Sequence, residues 1–416
     1  MYMRKINTHS FQVATRTTSR DVNRTIALNL IREHQPISRA ELSRRMGLRR
    51  SVLSMLVGEL VAAGSVDEIG TAPTVRGRRP RLLVVRTSGR LAAAVDVRSN
   101  HTVVALVDFA GQVLARDVLA TPSEPDALVD VLSERITRLL AAHAADQGTV
   151  GTCHGVGLVV PGMVDRRSGR VIYAPRLGWR DVDLRTTLEG RLALPVHVES
   201  APIACALARL WLTPEEPGLN YSFAYVSVSD GLGVGLVVGG EALRGEAHTA
   251  GEFGHVPLDP NGPPCVCGKC GCWEALACNA AIVGYYVERA GLGAPDATAA
   301  VSAKRPGAIT VEDVVRRARR GEQAAIDALS ETGRQIGRGL SAVVSVFNPG
   351  RIFVGGEVTA GWEWIEGPIR EALISGTLTS STRATPVIPD RAPAEYRLRG
   401  AVALVAAPSF AAPRVG

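Results

Sequence analysis

The sequence Gly251-Glu-Phe-Gly-His255, followed after nine residues by Cys265-Val-Cys-Gly-Lys-Cys-Gly-Cys-Trp-Glu274, is the most specific stretch of this chain. Four of the seven cysteines lie within eight consecutive residues of it. Zinc takes four sulfur or imidazole ligands in a tetrahedron, and closely spaced cysteines on a glycine-containing loop can supply them. The alternatives are a disulfide pair or uncoordinated thiols, and disulfides are disfavoured in an intracellular chain. We therefore predict a zinc site in the loop 248–278.

On both sides of this loop the sequence predicts an α/β protein. The predicted strands are 91–97, 102–108, 112–119 and 154–160 in the first half, and 222–228, 233–238 and 351–354 in the second. Helical segments lie between them, and 126–145 has the apolar spacing of an amphipathic helix. Because the same order recurs, we expect two lobes of comparable plan with a ligand cleft between them.

The loop resembles the signature C-x-C-G-x-x-G-C-x-E, preceded by G-E-x-G-H, of the ROK family (repressors, open reading frames and sugar kinases). The resemblance extends over about residues 20–410 and includes Pro161-Gly162, Leu177-Gly-Trp179 and Val354-Gly-Gly356. It implies a two-lobed, actin-like or hexokinase-like ATPase-type fold. It also implies a spare thiol at Cys270 and one structural zinc ion per chain bound by His255, Cys265, Cys267 and Cys272.

The N-terminal region carries the excess positive charge of the chain. Residues 1–90 contain 17 Lys and Arg against 6 Asp and Glu, whereas the other residues contain 30 against 34. A basic region attached to a mildly acidic body suggests a partner with a phosphate backbone for that region alone.

Three helices followed by two strands are predicted in this basic region. The first helix, 21–34, has an apolar stripe, and Ser38-Arg-Ala-Glu41 is a capping box that begins the second. Gly47 makes a turn before a third helix, 50–63, whose inward residues are Val52, Leu53, Leu56, Val57 and Leu60. Strands at 65–69 and 81–86 form a wing. The pattern predicts a winged helix-turn-helix, and the alternative is a structural three-helix bundle with a basic surface.

A winged helix-turn-helix places its third helix in the major groove of double-stranded DNA. Arginine can donate to both guanine O6 and N7, and serine reaches bases or phosphates. The wing arginines suit phosphates or a narrow minor groove. The predicted DNA-contacting residues are Ser38, Arg49, Arg50, Ser51, Ser54, Arg76, Arg78 and Arg79.

Two of three elements that the family's sugar kinases need are altered. The first phosphate turn, Asp-x-Gly-Gly-Thr in the kinases, is Asp96-Val-Arg-Ser-Asn100 here and contains no glycine. The stretch Glu-Asn-Asp-Ala-Asn, which carries the catalytic base, is Glu199-Ser-Ala-Pro-Ile203, so Ala201 stands at the base position. The second glycine turn, Asp230-Gly-Leu-Gly-Val-Gly235, is retained. We expect no sugar kinase activity and no bound ATP.

The resemblance places a sugar or sugar-derivative effector between the lobes. The residues predicted to bind it are Gly162, Arg176, Ser200, Glu252, His255 and Glu274. Arg176 replaces an asparagine of the family pattern, which suggests either an anionic or phosphorylated ligand or a site that binds no sugar.

The predicted domains are 1–88 for the winged helix-turn-helix, 89–198 for the first lobe, and 199–390 for the second lobe. A C-terminal helix at about 391–416 is expected to complete the first lobe. With 46% hydrophobic and 21% charged residues, no membrane-spanning apolar run and no signal-like N-terminus, the chain is expected to be a cytoplasmic protein with no membrane partner.

The sequence therefore predicts a DNA-binding transcriptional regulator of carbohydrate-related genes that responds to a bound effector. The resemblance implies a repressor that binds a palindromic operator as a homodimer or tetramer. The alternatives are a sugar kinase that also binds DNA, and a DNA-binding protein that responds to no effector.

Overall fold

The computed structural model describes residues 20–71, 81–147, 151–212, 222–292, 309–390 and 393–410. The predicted wing residues Arg76, Arg78 and Arg79 lie outside these ranges.

The N-terminal head, residues 20–86, is a winged helix-turn-helix. It contains α1 (Arg20–His34), β1 (Ile37–Ser38), α2 (Arg39–Met46), α3 (Arg50–Ala62), β2 (Val66–Thr71) and β3 (Arg81–Val85). The strands form one antiparallel sheet in the order β1-β3-β2. Gly47 ends α2 in the left-handed region, with φ at 63°, which is why a glycine makes this turn.

Two local expectations in the head are only partly correct. The Ser38 side chain accepts a hydrogen bond from the Glu41 backbone N–H, but the Glu41 carboxylate contacts Arg44 and Arg45 instead of completing the capping box. Val52, predicted to point inward, is 38% exposed, whereas the four other predicted core positions of α3 are buried. Val52 precedes Leu53 on the helix and so lies at the edge of the buried face.

The first lobe is built on a five-stranded sheet with helices packed on both faces. Its elements are β4 (Arg90–Val97), β5 (His101–Asp108), β6 (Val113–Ala120), α4 (Pro125–Gln147), β7 (Thr152–Val160), β8 (Met163–Asp165), β9 (Arg170–Ala174), β10 (Trp179–Asp183), α5 (Leu184–Leu192) and β11 (Val196–Ser200). The main sheet has the order β11-β7-β4-β5-β6, and β8 to β10 form a separate antiparallel sheet.

The second lobe repeats this plan. After α6 (Ala201–Leu212) come β12 (Phe223–Val228), β13 (Leu232–Val238), β14 (Glu241–Ala242), α7 (Trp273–Ala277), α8 (Asn279–Arg289), α9 (Val311–Arg319), α10 (Gln323–Phe347), β15 (Ile352–Gly355), α11 (Trp362–Gly376), α12 (Ser380–Arg383) and β16 (Val387–Pro389). The chain then forms α13 (Pro393–Ala406), which packs against β4 and β7 of the first lobe. The sheet order β14-β13-β12-β15-β16 matches that of the first lobe, with three antiparallel strands followed by two parallel ones. The predicted two-lobed α/β fold with a winged head is confirmed.

The helices α6 and α13 form a buried layer that joins the two lobes. Apolar side chains of both helices share one core cluster with residues of β4, β5, β12 and the head. Separate clusters lie under α4 and α5 in the first lobe and under α8 to α11 in the second. Within the described residues, no helix is long and apolar enough to cross a bilayer.

Candidate metal centre and ligand cleft

The loop before α7 brings four metal-ligating side chains together. The candidate ligand atoms of His255, Cys265, Cys267 and Cys272 all lie within 4.8 Å of one another. Cys265 Sγ is 3.6 Å from His255 Nδ1, and Cys267 Sγ is 3.7 Å from Cys272 Sγ. A tetrahedral zinc ion with ordinary bond lengths requires edges of about 3.6 Å between nitrogen and sulfur and about 3.8 Å between two sulfurs. The four residues therefore fit zinc in both chemistry and spacing.

Glycines and backbone hydrogen bonds shape this loop. Gly271 has a φ of 61°, and a Cβ there would come within 1.5 Å of the Asp259 carbonyl oxygen. The Cys265 N–H donates to the Lys269 carbonyl oxygen, and the Lys269 ammonium donates to the His255 carbonyl oxygen. Cys270 is exposed and lies outside the group of four.

A cleft between the lobes lies beside this loop and has a volume of about 1010 Å³, which includes space open to solvent. All the residues predicted to bind the effector line this one cleft: Gly162, Arg176, Ser200, Glu252, His255 and Glu274. That they contact a ligand remains a prediction.

Arg176 and Glu274 neutralise each other at the cleft wall. Arg176 Nη2 donates to Glu274 Oε1 at 2.8 Å, and the other carboxylate oxygen of Glu274 accepts from the Leu232 N–H at 2.9 Å. The side chains are only 13% and 8% exposed. This pairing argues against the expectation that Arg176 recruits an anionic ligand, because its charge already has a buried partner.

Glu252 is the cleft carboxylate with the most access. Burial and the nearby Glu274 carboxylate raise the pKa of Glu252 to about 7, although 41% of its side chain is exposed. Its Oε2 lies 3.9 Å from His255 Nε2, so a carboxylate lies on the side of the imidazole opposite the Nδ1 atom that faces Cys265. Glu252 can therefore accept or donate a hydrogen bond to a ligand hydroxyl near neutral pH.

Arg98 bridges the two lobes. From the sequence alone, this position showed only that the first phosphate turn lacks a glycine. Its guanidinium donates to Asp96 at 3.0 Å and to Glu357 of the second lobe at 2.7 Å. Ser99 Oγ donates to Asp230 at 3.0 Å, which is a second link between the lobes. Burial acts to raise the pKa of Asp96, but the guanidinium groups of Arg397 and Arg98 hold it below its usual value.

The retained glycine turn packs against protein groups. A Cβ on Gly231 would lie 2.7 Å from Glu274 Oε2, and one on Gly235 would lie 2.3 Å from the Pro202 carbonyl oxygen. Close packing therefore explains why both positions are glycine, and no bound nucleotide is needed to explain them. Glu199 is 1% exposed and paired with Arg244, so its carboxylate is already occupied.

On the exposed side of α3, four predicted DNA-contacting residues are accessible: Arg49, Arg50, Ser51 and Ser54. Arg49 is the N-cap residue of the helix and makes no side-chain capping bond, as expected from its residue type. Ser38 is partly buried and caps α2.

Together the fold and site define a two-lobed ATPase-type α/β protein with a candidate metal centre and an attached winged helix-turn-helix. The model of the ROK family matches residues 92–407. The chain belongs to the ROK family.

Similar proteins include both regulators and kinases. The xylose repressor of Caldicellulosiruptor bescii is 28% identical over 359 residues, which cover 86% of this chain and 88% of that protein. A solved ROK family transcriptional regulator, a homolog of the Escherichia coli MLC protein, is 25% identical with a TM-score of 0.77 and covers 94% of this chain and 96% of its own. A ROK family glucokinase from Streptomyces griseus, in complex with glucose and AMPPNP, is 28% identical with a TM-score of 0.64; the match covers 75% of this chain and 98% of that one.

Proposed function

We propose that this protein is a DNA-binding transcriptional repressor whose operator affinity is controlled by a sugar or sugar derivative bound between the lobes. The observation that carries the proposal is the winged helix-turn-helix, whose third helix exposes Arg49, Arg50, Ser51 and Ser54 while its other face is buried. Such a helix fits the major groove and can combine base and phosphate contacts. Relatives named as a xylose repressor and as a ROK family transcriptional regulator, whose matches extend over most of this chain, support this function.

The site also supports a protein without sugar kinase activity. Ala201 offers no proton acceptor at the base position, and Glu199 is held by Arg244. Loss of a general base costs about 10²–10⁴-fold in rate. Arg98 and Glu357 meet where the family's kinases have a glycine turn for phosphate, so ATP phosphates would have to displace a partly buried ion pair.

The charges of the cleft favour an uncharged ligand. The arginines that line it are paired: Arg98 with Asp96 and Glu357, Arg176 with Glu274, and Arg397 with Asp96. The additional acidic groups Asp230 and Glu252 also line it. An anionic ligand would meet no unpaired cation among these side chains, whereas sugar hydroxyls could use Glu252, His255 and Ser200.

We propose that His255, Cys265, Cys267 and Cys272 hold one structural zinc ion. Bound zinc would fix the loop that carries Glu252 and leads into Glu274, and so would position both carboxylates at the cleft. We also propose that the domain boundaries lie at residues 88 and 198 and that α13 completes the first lobe. A homodimer or tetramer on a palindromic operator would follow from the two-fold symmetry of such sites.

Fluorescence anisotropy on a DNA duplex from upstream of the protein's own gene tests this function. We expect site-selective binding that weakens steeply with salt and is weakened further by one member of a panel of neutral sugars. Arg50→Ala should weaken binding about 5- to 150-fold if Arg50 contacts a base, or lower the salt slope by about 1 if it contacts a phosphate. Arg316→Ala, an equivalent change at an exposed arginine of α9, is the control and should have neither effect.

Three outcomes would contradict the proposal in different ways. Binding that no sugar or sugar phosphate changes would favour a DNA-binding protein that responds to no effector. A response to sugar phosphates alone would restore the anionic ligand. Absence of DNA binding, together with ATP-dependent product formation on a sugar, would identify a kinase.

A further inference from the structure

Helix α6 connects the cleft to the head. Its first residues, Ala201 and Pro202, line the cleft together with Ser200 before them. Its penultimate residue, Trp211, is buried against the head, 4% exposed. At 1.5 Å per residue, these twelve residues span about 18 Å.

Helix α13 follows the same course. Arg397, near its start, lines the cleft and donates to Asp96 and to the Val97 carbonyl oxygen. After its end, Phe410 packs 5.8 Å from the Trp211 ring. The two helices are in close contact, since a Cβ on Gly400 would lie 2.6 Å from the Ala204 carbonyl oxygen. Helices packed this closely are expected to move together.

Both helices end on one pair of polar side chains of α1. The Arg32 guanidinium stacks 4.4 Å from the Trp211 ring centre and 5.1 Å from that of Phe410, and Nη1 lies 3.5 Å from the Trp211 carbonyl oxygen. Asn29 Nδ2 donates to the Phe410 carbonyl oxygen at 2.9 Å. Arg32 is 4% exposed and Asn29 is fully buried. Arginine and asparagine in such a contact specify geometry more strictly than apolar residues would, because their hydrogen bonds are directional.

We propose that α6 and α13 act as one rigid unit that transmits a change at the cleft to the DNA-binding head through Arg32 and Asn29. A ligand that displaces Ser200 and Pro202 would shift Trp211 and Phe410. That shift would reorient α1 and the DNA-contacting helix α3, which packs on α1. This inference rests on the proposed function, because a reoriented head has a role only if the head binds DNA. The mechanical coupling itself can be measured without DNA or effector.

A steric change at the cleft end of α6 tests the coupling. A Cβ on Gly233 would lie 2.9 Å from Pro202 Cγ, so Gly233→Ala should displace the first turn of the helix. Gly284→Ala in α8 is the matched control, because nothing lies within 4 Å of the added Cβ. The measurement is hydrogen–deuterium exchange of the α1 amides in the full chain, with α9 as an internal reference.

We expect Gly233→Ala to change exchange in α1 by about threefold or more, beyond the roughly twofold within which distant sites behave independently. Gly284→Ala should leave α1 unchanged, and α9 should be unchanged in both variants. An unchanged α1 in Gly233→Ala, with altered exchange in the first turn of α6, would overturn the proposal. An equal change of exchange in α1 and α9 would also overturn the proposal, since it would indicate general destabilisation.

A second variant tests the route through Arg32. Arg32→Lys keeps the charge but removes the planar group that stacks on Trp211 and Phe410. When Gly233→Ala is added to Arg32→Lys, the change in hydrogen–deuterium exchange of α1 should be less than half of the change that Gly233→Ala causes in the wild-type protein. A full effect in this background would show that Arg32 is not on the route.

Operator binding separates this inference from the proposed function. If wild type and variants alike fail to bind DNA, the proposed function is wrong, while the exchange data still decide the coupling. If the protein binds DNA and Gly233→Ala changes neither exchange in α1 nor operator affinity, the coupling is wrong and the function stands.

Discussion

Two cysteines of the metal loop, three residues apart, should behave in opposite ways when replaced by serine. Cys267 Sγ lies 3.7 Å from Cys272 Sγ, inside the group of four ligands, whereas Cys270 is exposed and outside it. Cys267→Ser should release the metal because serine replaces a thiolate ligand by a much poorer one. Cys270→Ser should retain the metal.

The size of the effect follows from the loop that the metal closes. Cys272 lies 17 positions after His255, and a metal ion bound by both side chains would crosslink these two residues. A crosslink around a loop of that length restricts the unfolded chain by about 3 kcal/mol at 25 °C. Cys267→Ser should therefore lower the free energy of unfolding of the second lobe by about 3 kcal/mol, which for a unit of that size lowers its melting temperature by roughly 6–12 °C. Because Glu274 follows Cys272 closely, sugar binding should weaken as well.

The assay combines metal analysis by mass spectrometry with thermal unfolding of wild type, Cys267→Ser and Cys270→Ser. We expect one zinc per chain in wild type and in Cys270→Ser, and far less in Cys267→Ser. Equal loss of metal from both variants would refute the assignment of ligands. Less than one zinc per chain in folded wild type would refute the zinc site itself.

Three further predictions concern the body of the protein. Arg98→Ala should lower the free energy of unfolding, measured by urea titration, by about 2 kcal/mol. The reason is that Asp96 keeps Arg397 as a partner whereas Glu357 loses its cation. An unchanged free energy of unfolding would mean that the bridge between the lobes does not stabilise the protein. Ala201→Asp should produce no ADP above the wild-type background with any sugar tested, because Arg98 still occupies the phosphate turn, and measurable turnover would contradict this. Burial and the nearby Arg166 lower the pKa of His197 to about 4, so the stability gained from its neutral form is complete above about pH 6.5 and is lost as the pH falls towards 4, by up to about 3 kcal/mol. Urea titrations across this range should show a shallower pH dependence for His197→Gln than for wild type, and parallel curves would contradict the assignment.

Several features could be predicted from the sequence because they depend on residues close together in the chain. The metal loop is one, since its ligands lie within 17 positions and its glycines set the turns. The head is another, because helical spacing, a glycine turn and a basic surface all occur within one segment. Val52 was misassigned there because it sits at the boundary of the apolar stripe, where spacing alone does not determine exposure.

The chemistry of the cleft was decided by pairs that are distant in sequence. Arg176 was expected to attract an anion, but it faces Glu274, which is 98 positions away; Arg98 faces Glu357, 259 positions away. A charged side chain is free or neutralised according to its partner, and local sequence carries no information about a partner that the fold supplies.

The sequence by itself determined the two-lobed class and the winged head, because short-range spacing and residue chemistry specify them. The family resemblance of one short loop predicted the four candidate metal ligands, whose side chains the structure brings together. Only the tertiary structure decided that the arginines of the cleft are already paired and that α6 and α13 run from the cleft to Arg32. Those properties are contacts between separate elements. A buried charge without a partner is costly, so the loss of one member of such a pair is unfavourable, and folding determines which partner each charge meets.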